Sequence, residues 1–255
     1  MLNSISVLIH SYNSARQIKN CIQSAQLLTK NIVVIDQEST DSTKEIAIKY
    51  GARVISHPYT RYVEPARGFG IAQVTTPWIF LLDADEQITP KLAQEIQLVI
   101  QSKDSKHSFF KIPRKEIVFN STWLRHGGWW PNYQTRLIEK KAFVNWPKEI
   151  HSTPIIRGTS GQLTEPILHF SQNSLEEVVS KTIIFEDIES DLLFNAHKSV
   201  SHITFFRKFG GELFRRLFLW SGWKDGITGI ITSIYQAYSK TITYLYLYEK
   251  THRSI

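Results

Sequence analysis

Polar clusters close each of three apolar runs in the first hundred residues, and this alternation leaves few folds open. "ISVLIH" (5–10) runs into "SYN", "NIVVID" (31–36) ends on Asp36, and "WIFLLD" (78–83) continues into Ala84, Asp85 and Glu86. Between them, "SARQIKNCIQSA" has helical spacing through Ile18, Cys21, Ile22 and Ala25. "STDSTKEIAIKYG" predicts a second helix, with Ser39 or Thr40 as its cap and Gly51 as its stop. "ARVIS" is a third strand, "EPARGFGIAQV" a short helix broken by its glycines, and "TPKLAQEIQLVIQS" (89–102) a helix with Pro90 in its first turn. Strands alternating with helices imply right-handed βαβ units and a mainly parallel sheet, so the expected class is α/β. In such sheets ligands bind beyond the carboxyl ends of the strands. His10 to Asn13, Asp36, and Asp83 with Asp85 converge there.

The 255 residues suffice for one full-size domain and an appendage. A single cysteine, Cys21, excludes an internal disulfide and a multi-cysteine zinc site, and reads as a small buried hydrophobe. The start, "MLNSISVLIHSYN", lacks the basic and long apolar regions of a signal peptide, so a reducing, cytoplasmic setting is expected. A net charge of +7 suits an anionic partner: nucleotide, nucleic acid or lipid surface. No nucleic-acid-binding motif is present, which argues against the second.

Asp83, Asp85 and Glu86 are near neighbours, and like charges this close raise one another's pKa unless a cation sits among them. A strand-end Asp-x-Asp suits a hard divalent cation, Mg2+ or Mn2+, which also binds phosphate oxygens. A solvated acidic turn is the plainer alternative.

Residues 5 to 100 resemble the family 2 glycosyltransferases, whose nucleotide-sugar-binding domain has the Rossmann-like GT-A fold. The resemblance is carried by "VLIHSYN" (7–13), "VVIDQESTDST" (33–43), Arg67 ahead of a strand, and "LLDADE" (81–86), in order and spacing. It implies a nucleoside-diphosphate sugar donor, with UDP the expected nucleotide, held by His10, Tyr12, Asn13, Asp36, Arg67, Asp83 and Asp85. Tyr12 is then near the base, Asp36 on the base edge, Asp83 on the ribose and Arg67 at the phosphate. Asp85 is the implied ligand of the Mn2+ or Mg2+ ion that bridges the diphosphate.

The rest of the chain resembles the bacterial lipopolysaccharide-core β-glycosyltransferases within that family. "WLRHGGWWPNYQTRLIEKK" (123–141), "IHSTPIIRGTSGQL" (150–163), "PILHF" and "WKDGITG" (223–229) carry this likeness. Asn132 stands where that branch has aspartate, and Ser152 where it has glutamate. The implied chemistry is inverting, an in-line attack by an acceptor hydroxyl assisted by a carboxylate base. Asn132 cannot take a proton, which leaves Glu149 and then His151 as candidates, with His126, Gln134 and Arg136 on the acceptor side. A polyprenyl-phosphate acceptor, already ionised, needs no base. A non-catalytic nucleotide-sugar-binding subunit is a further alternative, which the intact "DADE" opposes.

The expected organisation is a GT-A donor and acceptor domain over residues 1–172, followed by a helical C-terminal region over 173–255. In "ITFFRKFGGELFRRLFLW" (203–220), Phe206, Phe209, Leu213, Leu217 and Trp220 share one helical face, opposite Arg207, Lys208, Glu212 and Arg215. This is the pattern of a basic amphipathic helix on an anionic membrane surface. The expected location is therefore the inner face of the cell membrane, held peripherally, with a glycan or lipid-linked acceptor. A helical bundle packed on the catalytic domain is the alternative.

Overall fold

The structure, a computed structural model, describes residues 3–102, 106–119, 121–172 and 175–253. It has two compact units: Met1–Lys115 with Asn132–His169, and Glu116–Pro131 with Phe170–Ile255.

The first unit begins β1 (Ile5–Ser11), α1 (Ile18–Ala25), β2 (Ile32–Asp36), α2 (Thr43–Lys49), β3 (Arg53–Ser56), α3 (Glu64–Ala72) and β4 (Trp78–Asp83). The short β5 (Glu86–Gln87), α4 (Pro90–Gln101) and the long β6 (His107–Val118) follow. β1 and β2 are buried along their whole length, the condition under which strands carry unbroken apolar runs. Side chains alternate across the sheet. Ile5, Val7 and Ile9 pack with Ile18, Ile22, Leu92 and Ile96 on one face, while Leu8 packs with Ile35, Ile71 and Leu81 on the other.

The strand order is β3-β2-β1-β4, all parallel. β8 (Asn132–Glu139) then pairs antiparallel with both β4 and β6, and β12 (Ile167–Gln172) pairs antiparallel with β5. Chain order reverses at β1, which lies between β2 and β4. That is the switch point at which open α/β sheets hold their ligands.

Two local expectations are corrected. α3 runs unbroken through Gly68 and Gly70. Gly70 does not break the helix but admits it to the sheet, since a Cβ there would lie 2.8 Å from His10 Nε2 and 3.0 Å from an Ile35 side-chain carbon. Ser39 and Thr40 do not cap α2, which starts at Thr43; the Ser39 hydroxyl is bonded to Asp36 instead.

The second unit contains β7 (Thr122–Trp123), paired with the end of β6, and three helices: α5 (Leu175–Asn195), α6 (His202–Phe214) and α7 (Gly226–Arg253). α7 packs on α5 through a polar seam. Glu186 accepts from Ser239 Oγ at 2.5 Å and from Thr243, and Lys250 Nζ lies 2.7 Å from Asp187. α6 does not continue regularly to Trp220; a π-helical turn spans Arg215–Leu219 and shifts the phase. Along the apolar face expected over 203–220, Leu213 and Leu217 are half-buried and Phe206 is exposed. Among the described residues, no helix is long and apolar enough to cross a membrane.

Candidate functional site at the strand ends

Parallel register lines up the ends of the strands. Ser11 stands opposite Asp36, Asp36 opposite Ser56, and His10 opposite Asp83. The polar clusters that follow separate apolar runs in sequence thus form one row.

Asp36 is fully buried. Its Oδ1 accepts from Ser39 Oγ at 2.5 Å and Ser11 Oγ at 3.3 Å, and its Oδ2 accepts the Ser39 N–H at 2.9 Å. These bonds tie the loop after β2 to the end of β1. Asn13, at a left-handed φ of 43°, adds a second tie, because its Oδ1 accepts the Thr40 N–H at 2.8 Å. Tyr12 is exposed and stacks on Tyr59, with ring centroids 4.2 Å apart. The Tyr59 N–H donates to Glu38 Oε2 in the same loop. The pair offers aromatic surface of the kind a planar base covers. Burial, then Tyr12, pushes the Tyr59 hydroxyl pKa up.

His10 lies beneath α3. Its Nε2 donates to the Ala66 carbonyl at 3.3 Å and its Nδ1 accepts from Arg67 at 3.4 Å, an arrangement that calls for the neutral Nε2–H tautomer. Burial and then the Arg67 guanidinium lower its pKa to about 3, so it stays uncharged at neutral pH. Its observed contacts steady Arg67.

The carboxylates divide into two sets. Asp83 accepts from Arg67 at 2.7 Å through Oδ1 and from Arg136 at 2.7 Å through Oδ2. Glu86, fully buried, accepts from Arg136 at 2.6 Å and from the Asp83 N–H at 3.0 Å, with Arg114 3.8 Å away. Burial alone would raise the Asp83 carboxyl, but Arg136 and then Arg67 hold it well below the carboxylate range. Burial lifts Glu86, which shares a guanidinium with it. Three arginines, Arg67, Arg114 and Arg136, thus lie against two of the three acids. Arg67 is itself buried and Trp146 lies under its guanidinium at 5.2 Å, so that tryptophan is core.

Asp85 belongs to the second set. Its Oδ1 is 3.4 Å from Nε2 of His169, a residue of β12 that the β12–β5 register places opposite Glu86. His169 is absent from the sequence-derived site. It lies in "PILHF", a segment that carries the family likeness, but one imidazole on an apolar strand is more often structural than ligating.

The candidates for the base are spread along one segment. Asn132 opens β8, where its Oδ1 accepts from Gln134 at 2.8 Å. Glu149 is exposed in a turn closed by the Ser152 N–H on its carbonyl at 3.1 Å. His151 has a left-handed φ of 60°, and its N–H donates to Glu64 Oε1 at 2.9 Å. Arg136, from the same strand as Asn132, bonds Asp83 and Glu86. In the second unit, His126 Nδ1 lies 2.7 Å from Asp225 Oδ1, while Asp225 Oδ2 accepts the N–H groups of Arg125 and His126.

Residues 6–159 match the family described as Glycosyl transferase family 2. The chain belongs to glycosyltransferase family 2. This family 2 glycosyltransferase is 25% identical to a glycosyltransferase of Rickettsia conorii, over 100% of this chain and 93% of that protein. It is 22% identical to the lipopolysaccharide core biosynthesis glycosyltransferase LpsC of Rhizobium meliloti, over 96% of this chain and 92% of that one. Its fold is that of the GT-A enzymes. Residues 1–349 of TarS of S. aureus, solved with UDP-GlcNAc, superpose with a TM-score of 0.52 at 14% identity, covering 93% of this chain and 81% of that one. Glucosyl-3-phosphoglycerate synthase of Mycobacterium tuberculosis, solved with Mn2+, UDP and its product, gives 0.50 at 16% identity, covering 78% and 81%.

Proposed function

We propose that this glycosyltransferase is inverting and metal-dependent, and that it moves a sugar from a UDP-sugar to a hydroxyl of a surface-glycan or lipid-linked acceptor. One observation carries the donor reading. At the carboxyl ends of the strands, Asp85 Oδ1 and His169 Nε2 stand 3.4 Å apart, beside the bonds of Asp83 and Glu86 to Arg67 and Arg136. Among the described residues, no group of three or more His, Cys, Asp and Glu side chains holds an ion unaided. A cation shared with a diphosphate needs fewer protein donors, and one carboxylate with one imidazole fits Mn2+ or Mg2+ completed by phosphate oxygens. Asp85 and His169 are the residues that would hold it. Bound there, the ion supplies positive charge to the departing nucleoside diphosphate.

The chain's own groups do the remainder. Tyr12 and Tyr59 offer surface to the base beside the Asp36 loop. Asp83 keeps acceptor capacity for a ribose hydroxyl, because each carboxylate oxygen accepts more than one bond. Arg67 and Arg136 fix that carboxylate in place. The acceptor oxygen attacks the anomeric carbon in line, the bond from that carbon to the phosphate oxygen breaks, and the electron pair leaves with UDP. Glu149 takes the hydroxyl proton, which the Asn132 amide cannot. The likeness to LpsC supports a surface-glycan acceptor. The +7 charge supports a peripheral place on the anionic inner face of the cell membrane.

Asn132 also favours a second reading, a phosphate acceptor that arrives ionised and needs no base. Slow release of UDP from a UDP-sugar by the pure protein tests the donor assignment, and none from any UDP-sugar contradicts it. Glu149→Gln is expected to lower turnover onto a hydroxyl acceptor on the order of a hundredfold or more, with UDP affinity unchanged. Turnover near normal removes Glu149 and favours the phosphate acceptor.

A further inference from the structure

Helix α7 carries an apolar outer side over its first three turns, although Ala237 and Leu247 further along are buried. Its side toward the bundle carries Thr232, Ser233, Ser239 and Thr243, exposed by 6% at most. Its outer side carries Ile227, Ile230, Ile231, Ile234 and Tyr238, spaced at three, four, seven and eleven residues from the first and so on one helical face. A helix in water does the reverse. The apolar outer side continues backwards through the turn and into the π-helical segment. Phe218, Leu219, Trp223 and Ile227 are 62, 66, 54 and 76% exposed, against a common expectation that such side chains are covered.

Charge selects what covers them. Between residues 203 and 234 the cations are Arg207, Lys208, Arg215, Arg216 and Lys224, and the acids are Glu212 and Asp225. Both acids are engaged within the unit. Glu212 binds Arg215 and Arg216, and Asp225 binds His126. A second copy of this chain would bring an equally positive rim against the first, and like charges would oppose the contact. An anionic lipid surface meets the apolar face and the cations together. Aromatic side chains such as Trp220 and Trp223 suit the boundary between headgroup and hydrocarbon.

We propose that the α6–α7 hairpin, from Phe214 to Ile234, is a hydrophobic wedge that enters one leaflet of an anionic membrane while Arg207 and Lys224 reach the headgroups. This rests on the membrane-surface reading above and adds the element and its manner of binding. The outer stripe of α7 from Gly226 to Ile234 is about 12 Å long at 1.5 Å per residue, which suits a shallow interfacial element and not a span. The apolar contacts come from the π-helical turn at Arg215–Leu219 and from the start of α7.

The test uses the full chain with vesicles of phosphatidylglycerol and phosphatidylethanolamine, read by flotation. The unmutated protein is expected to float at low salt and to bind more weakly as salt rises, since exposed charges are screened. Phe218→Ser, Leu219→Ser and Ile227→Ser together are expected to weaken partitioning on the order of a hundredfold or more, with UDP binding and melting temperature unchanged. A second measurement covers poor folding of that variant. In Ile227→Cys an environment-sensitive fluorophore reports on position 227, because Cys21 is buried. Its emission is expected to shift to the blue when vesicles are added. Loss of flotation with the serines, or the blue shift, supports the wedge. If the serine variant floats as the unmutated protein does and the fluorophore stays in water, the wedge is overturned and a purely electrostatic membrane contact stands. If the unmutated protein does not float at low salt, the membrane reading fails as well, and a dimer mass by light scattering then assigns the face to a second copy.

Discussion

Asp85→Asn is expected to abolish sugar transfer, lowering turnover by roughly a thousandfold or more while the protein stays folded. A bound cation supplies several kcal/mol of charge stabilisation to a departing diphosphate, and each ~1.4 kcal/mol is a factor of ten in rate. Asparagine keeps the size and one oxygen of the side chain but lacks the charge that holds the ion. The bonds of Arg136 to Asp83 and Glu86 do not involve the Asp85 side chain, so that network persists in the variant. His169→Gln is expected to act in the same direction through the same ion. The measurement is steady-state transfer from a UDP-sugar, with thermal melting as the control. Transfer within tenfold of normal by Asp85→Asn contradicts the assigned role.

Arg136→Met is expected to destabilise the fold severely. Arg136 is 3% exposed, and its guanidinium bonds Asp83 at 2.7 Å and Glu86 at 2.6 Å. Burial opposes its charge, yet Asp83 and Glu86 carry its pKa above the ordinary arginine value, so the cation is strongly held. Methionine retains much of the stem and leaves Glu86 with Arg114 at 3.8 Å as its remaining cation among the described residues. Removing one member of a buried ionic set costs about 3–5 kcal/mol, because the others stay buried without compensation. In a chain of this size that lowers the melting temperature by roughly 6–20 °C. Lys141→Met, which removes the exposed partner of Glu139, serves as the control and is expected to leave the melting temperature unchanged. Equal melting of Arg136→Met and the unmutated protein would show that the network is not structural.

The parts of the fold that were legible in the sequence rest on local signals. Apolar runs of five or six residues, broken by helical spacing, mark β1, β2 and β4 because strands covered on both faces need no polar residue until they end. The row of polar strand ends follows from parallel register, which brings Ser11 to Asp36 and His10 to Asp83. The carboxylates' counterions were not legible. Arg136 comes 50 residues after Glu86 and His169 lies further still, and no local pattern joins them until β8 and β12 enter the sheet. Gly70 misled for a related reason. Glycine in a helix reads as a break, but here the missing Cβ lets α3 approach His10. The helix expected over 203–220 differs at its end, because periodicity assumes 3.6 residues per turn throughout. The π-helical turn at Arg215–Leu219 departs from it and redirects the residues that follow.

The central claim is that a cation joins Asp85 and His169 to the diphosphate of a UDP-sugar at the ends of the strands. Calorimetric titration of UDP into the unmutated protein, once with Mn2+ and once with EDTA, tests it most directly. The account predicts affinity at least about tenfold tighter with Mn2+, the equivalent of one or more charge-assisted contacts, with the difference lost in Asp85→Asn. Equal affinity with Mn2+ and with EDTA would contradict it.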